Sequence, residues 1–183
     1  NFICYENNEL LVKDIKQRRN APKGKLSVVE EIKKGDDFYH FAANPNPKNN
    51  SYAVVQYTKG KYSVKYVDNL YESKIILDYG VRTQSGDINP NYPVLSWDGK
   101  GSRLLVIYTK EGKIRMFVYD VVANIKRFEQ EIEGVDQILD AGFMLDANTL
   151  LMSAVKNGHA DIFIYKIDSG KFKQLTNDQY DDL

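Results

Sequence analysis

The feature that most constrains this chain is a strand pair that recurs with the same order of parts. Each copy is an apolar strand, a short turn and an alternating strand that ends near an aspartate. Three copies occupy Tyr52–Asp68, Leu104–Asp120 and Leu150–Asp168, and an altered copy occupies Phe2–Asp14. The terminal residues Asp14, Asp68, Asp120 and Asp168 are spaced by 54, 52 and 48 residues. Such a period indicates an array of equivalent units. It also predicts that alanine at position 120 or 168 costs similar stability.

Two further strand-like segments lie between consecutive hairpins. The outer segments are Lys25–Ile32, Ser73–Tyr79, Lys126–Ile132 and Lys171–Leu175. The inner segments are Phe38–Ala43, Tyr92–Trp97 and Ala141–Leu145. Four strands in each unit of about 40–50 residues predict an all-β fold built from β-propeller blades of four antiparallel strands. A β-sandwich with coincidentally similar hairpins is the alternative, and the matching hairpin ends argue against it.

The composition of the strands agrees with this prediction. The chain has 13 Tyr, 8 Phe and 1 Trp, which suit a pleated and half-buried surface. Leu104–Tyr108 and Leu150–Val155 are almost wholly apolar, so we expect neighbouring sheets to cover both of their faces. The next strand alternates, with Ile114, Met116 and Val118 on one face and Arg115, Phe117 and Tyr119 on the other. The charged outer strand 126–132 protects a sheet edge.

The length sets the number of blades. At about 50 residues per blade, 183 residues hold about three and a half blades, with predicted bounds 1–35, 36–85, 86–135 and 136–183. Closed propellers usually need four to eight blades. We therefore expect the chain to be part of a longer propeller, whose remaining blades or a self-association would cover its terminal faces. Four short blades that close on themselves are the alternative.

The charge balance limits the partners. The 25 Lys and Arg residues equal the 25 Asp and Glu residues, which argues against nucleic acid and anionic membranes as partners. No apolar run approaches the roughly 18 residues of a membrane span. A single cysteine, Cys4, cannot form an internal disulfide. A basic stretch is formed by Lys13, Lys16, Arg18, Arg19, Lys23 and Lys25. It could contact an acidic partner, although a solvated connector is favoured because Glu30 and Glu31 follow it.

Catalytic and metal-binding patterns are sparse, so no cofactor and no catalytic residue is predicted. A G-x-S-x-G nucleophile elbow is missing from the sequence. His40 and His159 lack the neighbours of a zinc site, and structural or exposed roles are expected for both. Asp178, Asp181 and Asp182 form an acidic turn that could gather Ca²⁺. The ligand spacing of a calcium loop is absent there, and a solvated turn is the favoured alternative.

The third unit carries the most specific pattern. Residues Gly142–Asp178 contain an apolar segment with Asp146, the turn Asn157-Gly158, the run Asp161-Ile-Phe-Ile-Tyr165 and the ending Leu175-Thr176. This stretch resembles the WD40-like repeat of TolB-type propellers of the bacterial cell envelope. Pro93–Val106 resembles the start of a second copy, with Trp97 where that repeat usually has proline. The resemblance covers about half of the chain well. It extends more distantly to the N-terminal propellers of prolyl-oligopeptidase and dipeptidyl-peptidase proteins.

The resemblance implies a function that the residues alone do not specify. It implies a non-catalytic propeller module that binds a protein, peptide or glycan through its blade loops within a larger bacterial envelope protein. It also implies a periplasmic or cell-surface location. The alternative function is the substrate-gating propeller of a serine peptidase whose catalytic domain lies outside this chain.

Overall fold

A computed structural model describes residues 2–6, 9–13, 26–31, 36–70, 72–80 and 92–177, with side chains from residue 40 onward in these ranges. The described residues form antiparallel strands and no helix. Contacts divide the chain into two units, Asn1–Asp37 and Phe38–Leu183. The first unit contains β1 (Phe2–Glu6), β2 (Glu9–Lys13) and β3 (Leu26–Glu31), paired in that order.

The second unit contains three four-stranded sheets, in each of which the strands pair in chain order. Sheet 1 consists of β4 (Asp36–Ala43), β5 (Tyr52–Thr58), β6 (Lys61–Val67) and β7 (Ser73–Gly80). Sheet 2 consists of β8 (Val94–Trp97), β9 (Arg103–Lys110), β10 (Lys113–Asp120) and β11 (Ile125–Ile132). Sheet 3 consists of β12 (Gln137–Phe143), β13 (Thr149–Lys156), β14 (His159–Lys166) and β15 (Lys171–Gln174). The predicted all-β fold with propeller-type blades is confirmed.

Two apolar layers hold the three sheets together. Between sheets 1 and 2, Val55 and Val64 pack with Leu104, Val106 and Phe117. Between sheets 2 and 3, the layer contains Leu105, Ile107, Ile114, Met116, Val118, Leu150, Met152 and Phe163. Alternate residues of β9 and β10 therefore enter opposite layers, as their sequence pattern predicts. At the centre of each layer, most of these side chains have no surface exposed to solvent.

The structure corrects two details of the strand predictions. The inner strand of sheet 3 ends at Phe143 rather than at Leu145, because the chain turns at residues 144–148 to meet the carboxylate of Asp146. The second correction concerns β13. Leu150, Met152 and Ala154 are buried on one face, whereas Leu151 is 44% exposed on the other. Within the described residues, β13 is therefore covered on one face and not on both.

Candidate functional site

The connections between the first two strands of sheets 1, 2 and 3 lie beside one another. We call them the first turn (residues 44–51), the second turn (residues 98–102) and the third turn (residues 144–148). Each turn reverses the chain, so its backbone N–H groups need partners outside the strand ladder. In all three turns, an aspartate or asparagine side chain supplies these partners.

In the second turn, this residue is Asp98, which is only 2% exposed. Its Oδ1 accepts hydrogen bonds from the N–H of Ser102 at 2.8 Å and of Arg103 at 2.9 Å. Its Oδ2 accepts the hydroxyl of Ser102 at 2.9 Å and lies 3.7 Å from Nε of Arg103. A buried carboxylate is tolerated here because several donors compensate the lost hydration. Asp98 therefore fixes the start of β9 relative to the second turn.

Asp146 has the same role in the third turn. Its Oδ1 accepts the N–H groups of Asn148 at 3.1 Å and Thr149 at 2.9 Å, and its Oδ2 accepts the Thr149 hydroxyl at 2.6 Å. These hydrogen bonds, led by the one from the Thr149 hydroxyl, lower the pKa of Asp146 below its ordinary value, and Lys166 adds a smaller effect. The carboxylate is therefore charged, and both of its oxygens accept hydrogen bonds from Asn148 or Thr149.

Asn44 links the first turn to the second. Its Nδ2 donates to Oγ of Ser51 and to the carbonyl of Gly101, both at 2.9 Å. Gly101 has φ +69, and a Cβ at this position would lie 1.8 Å from Oδ1 of Asn44. Only glycine permits both the backbone conformation and this close approach. The gap between the first and second turns is therefore closed.

The second and third turns leave a cleft of about 510 Å³ between them. Among the described residues, no hydrogen bond joins these two turns. The contact between their walls is the guanidinium of Arg103, which lies 5.7 Å from the centre of the Phe143 ring. The cleft is further lined by Asp98, Lys100, Ser102, Met144, Leu145 and Asp146. Its volume falls within the range of about 300–1,000 Å³ that is typical of ligand sites.

The exposed side chains that line the cleft are Lys100, Met144, Leu145 and Asp146. Lys100 is exposed, Met144 is 44% exposed and Leu145 is fully exposed. Asp98 is buried, and the exposed Asp146 accepts three hydrogen bonds from Asn148 and Thr149. A partner would therefore meet Lys100 on one wall, and an aliphatic surface beside a hydrogen-bonded carboxylate on the other.

The inner strands below the turns are tied by His40 and Trp97. Nδ1 of His40 accepts the N–H of Leu95 at 3.2 Å, which requires a neutral imidazole. Burial lowers the pKa of His40, and the nearby Asp140 carboxylate and Pro93 carbonyl partly oppose this effect. Nε1 of Trp97 donates to the carbonyl of Ala42 at 2.9 Å. These contacts join β4 to β8. His40 therefore has a structural role, which is one of the two roles expected for it from the sequence.

The predicted repeat aspartates lie at two different register positions. Asp68 and Asp120 are each the eighth residue after the hairpin glycines Gly60 and Gly112, whereas Asp168 is the tenth after Gly158. The residue after Asp120 donates its N–H to the carbonyl of Ser102. In sheet 3, the corresponding donor is Ile167, which bonds to Asn148, so Lys166 occupies the position of Asp120. Asp14 lies outside the described residues.

Most of the other predicted candidates fall on residues that the structure does not describe. Asp178, Asp181 and Asp182 lie outside the described residues, as does the basic stretch apart from Lys13 in β2. Within the part of the chain that is described, no group of three His, Cys, Asp or Glu side chains is arranged to hold a metal ion. His159 is exposed at the start of β14. No helix in the described ranges has the length and hydrophobicity of a membrane span.

The sequence analysis missed Lys100, Met144 and Leu145 as candidate binding residues. The signal was present, because Met144 and Leu145 precede an aspartate that anchors a turn, where exposed residues are usually polar. This signal was missed because the predicted inner strand 141–145 included both residues. The cleft itself depends on the packing of two sheets and has no counterpart in local sequence.

No family model and no curated protein matches this sequence. Solved structures do match. TolB from Acinetobacter baumannii superposes with a TM-score of 0.64 at 15% identity, over 94% of this chain and 38% of that one. The Dos1 propeller gives 0.60 at 9% identity, over 97% and 45%. The nidogen/laminin complex gives 0.58 at 12% identity, over 97% and 61%. The chain thus spans less than two thirds of each of these three structures, and the likeness confirms a β-propeller fold.

Proposed function

We propose that this chain is a non-catalytic β-propeller module that binds a protein partner through the cleft between the second and third turns. The observation that carries the proposal is Leu145, a large aliphatic side chain that is fully exposed at the mouth of a formed cleft. Together with Met144 and Lys100, it makes an exposed surface that is partly apolar and partly basic. Exposed apolar groups beside polar ones are typical of interaction sites.

The turns that form the cleft are well suited to binding because they are already ordered. Asp98 and Asp146 order the backbone of both walls by accepting six hydrogen bonds, four from N–H groups and two from hydroxyls. A partner would not have to order these segments, so less of the binding free energy is lost. Loops on a rigid β-scaffold are common sites of recognition.

The chemistry of the cleft favours a peptide segment over a glycan. A sugar ring typically stacks on an open aromatic face, and Arg103 lies over the face of Phe143. The accessible apolar groups are the aliphatic side chains of Met144 and Leu145. Protein partners commonly supply apolar anchors that bury such groups.

The wider setting belongs to the same proposal. The resemblance of residues Gly142–Asp178 to repeats of bacterial envelope propellers supports a periplasmic or cell-surface location, within a larger protein. Nothing in the described residues favours the peptidase-gating alternative.

A display selection tests the binding role. Short random peptides would be selected on the wild-type protein, and the enriched peptides would be measured by fluorescence polarisation. We expect Leu145→Asp to weaken their binding by about tenfold or more, because a central apolar contact is lost. Val122→Asp is the matched control, since Val122 is 84% exposed in the turn after β10 and does not line the cleft.

Either of two results would overturn the proposal. One is that no peptide is enriched above the background of an unrelated protein. The other is that the enriched peptides bind the Leu145→Asp and Val122→Asp variants equally well, which would place their site outside the cleft.

A further inference from the structure

We infer that the cleft selects a peptide segment in which an acidic side chain stands next to a large apolar side chain. This inference rests on the proposed binding function and specifies the chemistry of the partner. It follows from the charges that the cleft leaves unpaired and from the apolar groups beside them.

The charged side chains that line the cleft are two cations, Lys100 and Arg103, and two carboxylates, Asp98 and Asp146. Lys166 is outside the lining and acts on Asp146. Asp98 is buried and lies against Nε of Arg103, and Asp146 is near Lys166. Within the described residues, Lys100 forms no ion pair. Its ammonium group is therefore the cation of the cleft that can pair with an incoming carboxylate.

The apolar half of the site is specific to the third turn. The second turn presents Gly99 and Lys100, and the first turn presents Asn46 and Lys48, whereas the third presents Met144 and Leu145. The turn geometry does not require this change, because the anchoring contacts come from Asp146 and the backbone. Burial of the two aliphatic side chains by a partner removes apolar surface from water, which favours binding.

The basic side chain and the two apolar side chains line the same cleft. Lys100 belongs to one wall of the cleft, and Met144 and Leu145 belong to the other. Arg103 and Phe143, whose charged and aromatic groups are 5.7 Å apart, also line the cleft. We expect a ligand that contacts both walls to carry its negative charge and its apolar group on neighbouring side chains.

The test uses the full chain and the peptides selected on it. In the enriched peptides, we expect Asp or Glu beside Leu, Ile, Met or Phe more often than in the starting library. Replacing the acidic residue of such a peptide by its amide should weaken binding by about threefold to fivefold, as exposed ion pairs do. Lys100→Glu should weaken it at least as much, and salt should reduce the wild-type affinity.

Lys59→Glu is the matched control for the protein. Lys59 is an exposed lysine in the hairpin turn between β5 and β6, at the opposite ends of the strands. This variant should bind the peptides as the wild type does. Arg103 is left unchanged because it also contacts Asp98 and Phe143.

The outcomes separate the inference from the proposed function. Peptides that depend on Leu145 but carry no acidic residue, or that bind Lys100→Glu normally, would overturn the inference and leave the binding module intact. An equal loss in Lys100→Glu and Lys59→Glu would also overturn it, because the effect would then reflect net charge. A failure of the Leu145→Asp test would remove the site itself.

Discussion

At the scale of single residues, the aspartates at or after the ends of the hairpin strands differ in what their oxygens contact. Oδ1 of Asp120 accepts the N–H of Ala123 at 2.9 Å, and Oδ2 accepts Nε of Arg127 at 3.1 Å. The exposed Asp168 accepts no hydrogen bond from the described residues. The hydrogen bond from Ala123, followed by the contact with Arg127, lowers the pKa of Asp120. Similar positions in the sequence thus carry different interactions.

We therefore predict that Asp120→Ala lowers the free energy of unfolding more than Asp168→Ala. The expected loss for Asp120 is about 0.5–1 kcal/mol, because the bonds are partly solvent-screened. Since the folded pKa lies below the ordinary value of 3.8, this stabilisation is present above that pH and is lost as the pH falls through the folded pKa. Urea denaturation followed by Trp97 fluorescence measures both variants. Equal losses would support the equivalence that the sequence predicts.

His40 gives a second prediction at this scale. Its folded pKa lies below the ordinary value of 6.5, so the unfolded chain binds a proton more readily than the folded protein. The free energy of unfolding should therefore fall as the pH drops below about 6.5. The neighbouring Asp140 reduces this fall, because its charge favours the protonated ring. Urea denaturation at a series of pH values between about 7.5 and 5.5 measures the slope.

Variants of the two histidines show which group causes the pH dependence of the free energy of unfolding. His40→Asn removes the titrating ring and should flatten the pH dependence in this window. His159→Asn changes an exposed histidine and should leave the slope unchanged. A slope that survives in His40→Asn would show that another group is responsible.

At the scale of elements, the outer strand of sheet 2 contains an irregularity that its charge pattern does not reveal. The register between β10 and β11 shifts between Met116 and Val118, so Phe128 and Glu129 lie opposite Phe117 alone. Phe128 has φ 53, a conformation that this type of bulge usually assigns to glycine. Its ring is 44% exposed. The bulge bends the edge of the sheet at the expense of backbone strain.

This strain predicts an inverted order of stability at position 128. Both Phe128→Ala and Phe128→Gly remove the ring, but only glycine adopts positive φ without steric conflict. The glycine variant should be more stable than the alanine variant by about 1 kcal/mol. Thermal denaturation followed by circular dichroism compares the pair. A more stable alanine variant would indicate that the strand relaxes to negative φ.

At the scale of the whole molecule, the internal repeat allows the outer face of sheet 3 to be compared with the equivalent face of sheet 2. Leu151 and Ile162 occupy the register positions of Leu105 and Met116 in sheet 2. Leu105 and Met116 are fully buried because sheet 3 covers them, whereas Leu151 is 44% exposed. This face of sheet 3, which no other described strand covers, therefore has the character of a sheet-to-sheet contact.

We predict that the chain self-associates through this face when it is produced alone. Light scattering should show a mass above that of the monomer that rises with concentration. Leu151→Lys should return the protein to a monomer, because a charge in an apolar contact is costly. Leu145→Lys is the control and should leave the association unchanged. A monomeric wild-type protein would contradict the prediction.

Much of the fold was predictable because its information is local. Alternation, apolar runs and turn dipeptides determined nearly all the strands, and Asn157-Gly158 adopts the positive φ angles that its hairpin requires. The strand at 141–145 was misplaced because an apolar Met-Leu pair looks the same in a strand and in an exposed turn. Only the bonds of Asp146 distinguish the two.

The sequence by itself therefore determined the strands, their pairing within each sheet and the propeller class, since these follow from side-chain periodicity and repeat length. The tertiary structure alone decided where the sheets leave space. Asn44 closes the gap between the first and second turns by contacting Gly101, 57 residues away, and no equivalent contact joins the second and third turns in the described residues. The cleft beside Lys100 and Leu145 exists for that reason. Such contacts join distant residues, and no local pattern encodes them.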